Sequence, residues 1–151
     1  MANKLKWAVE SAAALLSTEL NNLADGAFAV DGADYDNATN LYQFASFMFF
    51  GTFDAACDAG AVVELHIFYK LDGTNYGDGE DGDVAAPAGT GNSLHGVFNI
   101  GADAGPIYQQ ELNVPLLPFA FRAAVKLNTG QDLTAVDTHF LKMYPHNHEL
   151  Q

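Results

Sequence analysis

Apolar and polar side chains alternate with a period of two along most of this chain, which commits it to strands. In VVELHIFYKL (62–71), Val63, Leu65, Ile67, Tyr69 and Leu71 fall on one face. Glu64, His66 and Lys70 fall on the other, with Val62 and Phe68. FAFRAAVKL (119–127) repeats the pattern, placing Phe119, Phe121, Ala123, Val125 and Leu127 inward and Arg122 and Lys126 outward. LYQFASFMFFGTF (41–53) is apolar on both faces, so it reads as a central strand or one covered outside by another subunit. Weaker strand patterns occupy 20–30, 94–100, 107–114 and 138–145.

Turn residues punctuate these segments at Asp31-Gly32, Asp58 to Gly60, Asp72-Gly73, Gly101 to Pro106, Pro115, Pro118 and Asn128-Thr129-Gly130. About seven or eight strands at such spacing predict an all-β fold: a single antiparallel β-sandwich of the jelly-roll kind. The chain has 151 residues, enough for one compact domain and short for two. The sandwich is assigned to 18–151.

Residues 1–17 are of another character. MANKLKWAVESAAALLS is rich in Ala and Leu, with apolar positions nearly all round a helical projection. It reads as an N-terminal arm or short helix, marginal by itself and dispensable for the β-fold. Lys4 and Lys6 before an apolar run resemble a signal sequence, but Glu10 interrupts the run and no small-residue cleavage site follows. The stretch is too short to span a bilayer and is assigned to the mature protein.

Charge narrows the partners. Six basic residues against 19 acidic ones give a net charge of −13, which repels phosphate backbones and anionic lipid surfaces. No nucleic-acid or membrane partner is expected. A protein with a basic patch suits this surface.

No residue set reads as catalytic. The lone cysteine, Cys57, lies in CDAG, beside an acidic residue that raises a thiol pKa. Ser93, His139 and Asp137 make a nominal triad without a G-x-S-x-G elbow. No phosphate-binding glycine loop is present. DGTNYGDGEDGD (72–83) is the one candidate cation loop, with Asp78, Glu80, Asp81 and Asp83 as possible calcium ligands. It lacks the EF-hand order and the nonapeptide calcium repeat, so it reads first as an acidic hairpin tip. His146 and His148, two apart beside Glu149, resemble half of a zinc site without a third ligand nearby. Tyr35, Tyr42 and Tyr76 are candidates for stacking on a sugar ring, against the ordinary alternative of packing. No cofactor is expected.

Four ordered stretches resemble a family of tailed-bacteriophage virion proteins, small β-sandwich subunits of the capsid decoration or cement type. They are STELNNLADGA (17–27), DNATNLYQFASF (36–47), VVELHIFYKLDGTNYGDG (62–79) and ELNVPLLPFAFRAAVKLNTGQDL (111–133). In the last, a Pro-containing turn leads into an alternating strand, an Asn-Thr-Gly hairpin and a closing strand. The resemblance implies a non-enzymatic jelly-roll subunit on the capsid exterior, assembled in the host cytoplasm, homotrimeric and bound to the major capsid protein. It also makes 1–17 an arm reaching a neighbour, with Leu5, Trp7, Leu15 and Leu16 as anchors. Phe47 and Phe49 on the two-sided apolar strand are further candidate contacts. No family role maps onto His146 or His148. The alternative is a tail or head-fibre component that grips host glycans.

Overall fold

A computed structural model describes residues 5–77, 93–103, 105–135 and 138–150. The strands in chain order are β1 (Leu5–Val9), β2 (Ala13–Leu16), β3 (Phe28–Val30), β4 (Tyr35–Asp36), β5 (Phe44–Gly51) and β6 (Val62–Tyr69). They continue with β7 (Leu94–Asn99), β8 (Ile107–Pro115), β9 (Ala120–Asn128) and β10 (Phe140–Leu150). A 3-10 turn covers Thr18–Leu20, and one helical turn, α1, covers Asn37–Asn40.

Two antiparallel sheets result. The first runs β1-β10-β5-β8, with β2 also on β10; the second runs β3-β9-β6-β7, with β4 also on β9. If β1/β2 and β3/β4 are each taken as one interrupted strand, the two orders are those of a double Greek key. The expected jelly-roll sandwich is the observed fold. Chain neighbours β9 and β10 lie in different sheets, so Asn128-Thr129-Gly130 is a crossing between sheets and not a hairpin. Asp25 fixes that crossing: its carboxylate accepts from the N–H groups of Thr129 (2.8 Å) and Gly130 (3.0 Å).

The predicted alternation builds the core. Val63, Leu65 and Ile67 of β6 and Phe121, Ala123, Val125 and Leu127 of β9 are buried against Ala45, Phe47 and Phe49 of β5 and Leu141 and Met143 of β10. Phe49 meets Phe98 between the sheets with ring centroids 5.7 Å apart.

The N-terminal segment departs from expectation. No helix forms over 3–17 in the described residues; β1 and β2 instead extend the first sheet along β10, in registers Leu5↔Leu150 to Val9↔His146 and Leu16↔Leu141 to Ala13↔Met143. A short isolated helix gains little, whereas an unpaired strand edge offers a row of donors and acceptors. The break between β1 and β2 falls at Pro145, which has no N–H to give; its carbonyl accepts from Glu10 N–H at 3.1 Å. Leu15 and Leu16 lie in the main core of this chain, as do Phe47 and Phe49. Those four side chains are therefore covered within one chain and have no surface left for a neighbouring subunit.

α1 shows how a loop is fastened to this frame. Asp36 caps it by accepting from Thr39 N–H at 3.0 Å, and Leu41 ends it in a left-handed conformation. Asn37, fully buried, donates to the carbonyls of Tyr42 (3.0 Å) and Leu117 (2.8 Å) and accepts from Tyr42 N–H (2.9 Å).

Candidate binding face

Three strands far apart in sequence, β5, β8 and β10, lie side by side, and their outward residues are unusually apolar. The registers Phe50↔Tyr108 and Phe140↔Phe50 align three rings in one row across the sheet. Tyr108 lies 4.4 Å from Phe50, Phe50 lies 5.4 Å from Phe140, and Tyr108 lies 6.4 Å from Phe140, all between centroids. Lys142 Nζ stands 4.3 Å above the Phe140 ring, an arrangement that holds a cation against an aromatic face. The next rows carry Met48 beside Gln110 and Lys142, then Ser46 beside Tyr144. A groove of about 310 Å³ runs among Ser46, Met48, Gln110, Leu112 and Tyr144. At its far end Phe44 stacks on His146 at 6.0 Å.

This face is open where it meets solvent along β8: Tyr108 is 63% exposed and Leu112 62%. Charge is sparse on it. Glu111 of β8 turns away and lies across Gly96 of β7, where a Cβ would stand 2.5 Å from the Glu111 side chain; the missing side chain makes that crossing possible. An apolar, sparsely charged sheet face with exposed rings suits contact with a second surface.

Other sequence candidates go elsewhere. His146 is buried, with Nδ1 bonded to the Tyr144 carbonyl (3.1 Å) and Nε2 to Asn113 Oδ1 (3.2 Å), so both ring nitrogens are engaged. The side chains of His148, Leu5 and Trp7 lie outside the described residues, as do Asp78, Glu80, Asp81 and Asp83 of the acidic tip. Its leading half is described: the Asp72 carboxylate accepts from the N–H groups of Asn75 (2.7 Å) and Thr74 (2.8 Å). Those two bonds hold its pKa down to about 2, so LDGTNY is a capped turn. Among the described residues no three His, Cys, Asp or Glu side chains converge as metal ligands would.

Tyr76 does not present a free ring. Its hydroxyl donates to Asp34, and its ring lies 4.5 Å from Lys70 Nζ and 4.8 Å from Arg122 Cζ. Lys70 and Arg122 also bind Asp34, at 2.6 and 3.1 Å. Tyr35 packs on Phe121 at 5.3 Å, and Tyr42 packs against the main core. The sugar-stacking candidates are thus packing residues. The exposed Tyr108 was not singled out, because its strand pattern is weak and its partners lie about 60 and 30 residues away in sequence.

The nominal triad is not assembled. Ser93 Oγ meets His66 Nδ1 at 3.0 Å in place of His139, and His66 Nε2 meets Glu64 Oε2 at 3.1 Å. Asp137 lies outside the described residues. Ser93 and His66 are each 2% exposed, so the serine–histidine–carboxylate contact is an interior strut. Cys57 is buried, and burial followed by the nearby Asp58, Asp25 and Asp103 raises its thiol pKa.

No protein-family model matches the chain, and no curated protein matches it. Among solved structures, it is similar to the carbohydrate-binding module CBM36 in complex with calcium and xylotriose, at 12% identity and a TM-score of 0.40, over 99% of this chain and 98% of the other. It is also similar to the CBM36-1 domain of a multidomain xylanase from the hindgut metagenome of Trinervitermes trinervoides. There the identity is 12% and the TM-score 0.42, over 98% and 97% of the two chains.

Proposed function

We propose that this chain is a non-catalytic structural subunit of a virion, which decorates the outside of the head by seating its β10–β5–β8 face on the major capsid protein. The observation that carries the reading is the outward row of Tyr108, Phe50 and Phe140 beside the Leu112–Tyr144 groove, with Tyr108 and Leu112 more than half exposed. Such a face gains roughly 25 cal/mol for each Å² of apolar surface it removes from water, and one or two anchors dominate the result. The acidic remainder of the surface suits a basic neighbour, and repetition over a shell turns modest contacts into firm attachment. The virion resemblance of the sequence supplies the identity of the partner. In this reading the docking element is a sheet face, in place of the N-terminal arm and the Phe47 and Phe49 contacts expected from the sequence.

The test is co-sedimentation of purified protein with undecorated heads. Tyr144→Asp, on β10 and remote from the sheet edge, is expected to weaken capsid binding about tenfold or more while circular dichroism stays unchanged. Undiminished binding by that variant overturns the reading.

A second reading, a tail or fibre component that grips host glycans, is favoured by the groove itself. The Tyr144 ring there stands beside the hydrogen-bonding side chains of Ser46 and Gln110. Glycan-array binding by the native chain that Tyr144→Asp abolishes, without any capsid binding, selects it.

A further inference from the structure

We propose that the outer edge of β8 pairs with β8 of a second copy, antiparallel, about a two-fold axis at Gln110. Among the described residues β8 is the end of its sheet: it hydrogen-bonds to β5 and has no strand on its other side. Long edges are normally blunted by lysine, proline or a bulge. The span Tyr108 to Glu111 carries no lysine, proline or bulge; the bulge that sets Leu112 and the left-handed Asn113 against Ser46, and Pro115 after it, come at its end. Two of the most exposed large apolar side chains described, Tyr108 and Leu112, stand on this edge strand.

The register follows from side-chain direction. Tyr108, Gln110 and Leu112 share the outer face, and residues opposite one another in an antiparallel pair point to the same side. A two-fold axis perpendicular to the sheet must therefore pass through a residue and not between two. An axis at Glu111 sets two carboxylates against each other. An axis at Gln109 leaves Tyr108 opposite Gln110 and Leu112 opposite Pro106, so neither exposed apolar side chain meets the other. The axis at Gln110 places Tyr108 opposite Leu112 of the second copy, twice, and Gln109 opposite Glu111, twice, with Gln110 against itself. Within Tyr108–Leu112 each apolar side chain meets an apolar one, and each carboxylate meets an amide.

Pairing of this kind joins the two β1-β10-β5-β8 sheets into one and makes the aromatic faces continuous. The inference requires only the chain itself and stands apart from the capsid reading, with which it shares surface but not partner. It specifies a two-fold dimer where the virion resemblance implies a trimer.

Sedimentation equilibrium on the native chain tests it, together with Gln110→Glu and Gln110→Lys. The native chain is expected to form dimers, and each variant alone to associate about tenfold or more weakly, since it sets like charges on the axis. An equimolar mixture of the two variants is expected to recover the dimer. Gln110→Cys should cross-link to a covalent dimer under mild oxidation, because paired strands bring such residues within disulfide range. A native monomer, a trimer, or a dimer indifferent to all three changes overturns the proposal.

Discussion

His66 is a buried ionisable side chain of the second sheet. It is 2% exposed, wedged between Phe28 (5.1 Å) and Phe68 (6.2 Å), and joined to Ser93 and Glu64. Desolvation lowers its pKa and outweighs the opposing pull of Glu64, while Lys126 and His95 lower it further. The unfolded chain then binds a proton at a higher pH than the folded chain does. Stability from this site is complete above the ordinary histidine pKa of about 6.5 and is lost as pH falls through the lower folded value. Urea midpoints are expected to drop between about pH 7.5 and pH 5.5, and the drop should be smaller in His66→Gln. An equal slope in the variant would assign the pH dependence to other groups. The sequence placed His66 correctly, outward on an alternating strand, but not its burial. A period of two fixes which way a side chain points; it says nothing of what Phe28 and Ser93, distant in sequence, lay over it. Asn37 was hidden for the same reason: asparagine in DNATN reads as a turn residue, and beside its two local bonds to Tyr42 it donates to the carbonyl of Leu117, 80 residues away.

At the level of elements, strands with strong alternation were legible and those without it were not. β6 and β9 announce themselves, since each buries alternate apolar residues in the main core. β1 and β2 carry helix-forming composition and no alternation, and become strands because β10 presents a long edge. Propensity gave way to a partner more than a hundred residues away. A consequence for truncation follows. Deleting residues 2–17 uncovers β10 along most of one side and removes Leu15 and Leu16 from the core, where they are 7% and 1% exposed. Loss of two buried leucines alone costs on the order of 4–8 kcal/mol, comparable with the whole stability of a domain this size. The shortened chain is expected to lose its near-ultraviolet circular dichroism and its cooperative melt. Retention of a sharp transition within about 5 °C of the native one would mean that β1 and β2 only rest on the sandwich.

For the whole molecule, the fold was readable and the proposed binding face was not. Fold class depends on local periodicity and turn spacing, which one sequence displays. The face depends on β5, β8 and β10 becoming neighbours, and on registers that bring Tyr108, Phe50 and Phe140 into one row. Charge is the whole-molecule property that separates the two proposed contacts. Each copy carries −13, so two copies repel when β8 meets β8, although the paired residues themselves are nearly neutral. Salt shortens the reach of that repulsion from about 14 Å at 0.05 M to about 4 Å at 0.5 M. The apolar and backbone contacts that favour pairing are little weakened over this range. The dimer is therefore expected to tighten severalfold across it, measured by sedimentation equilibrium. Docking on a basic capsid surface has the opposite sign, because the same ions screen an attraction. Co-sedimentation with heads at the two salt concentrations should show binding unchanged or weaker. A dimer that dissociates as salt rises would point to charged pairs as the glue, and would remove β8 from the interface.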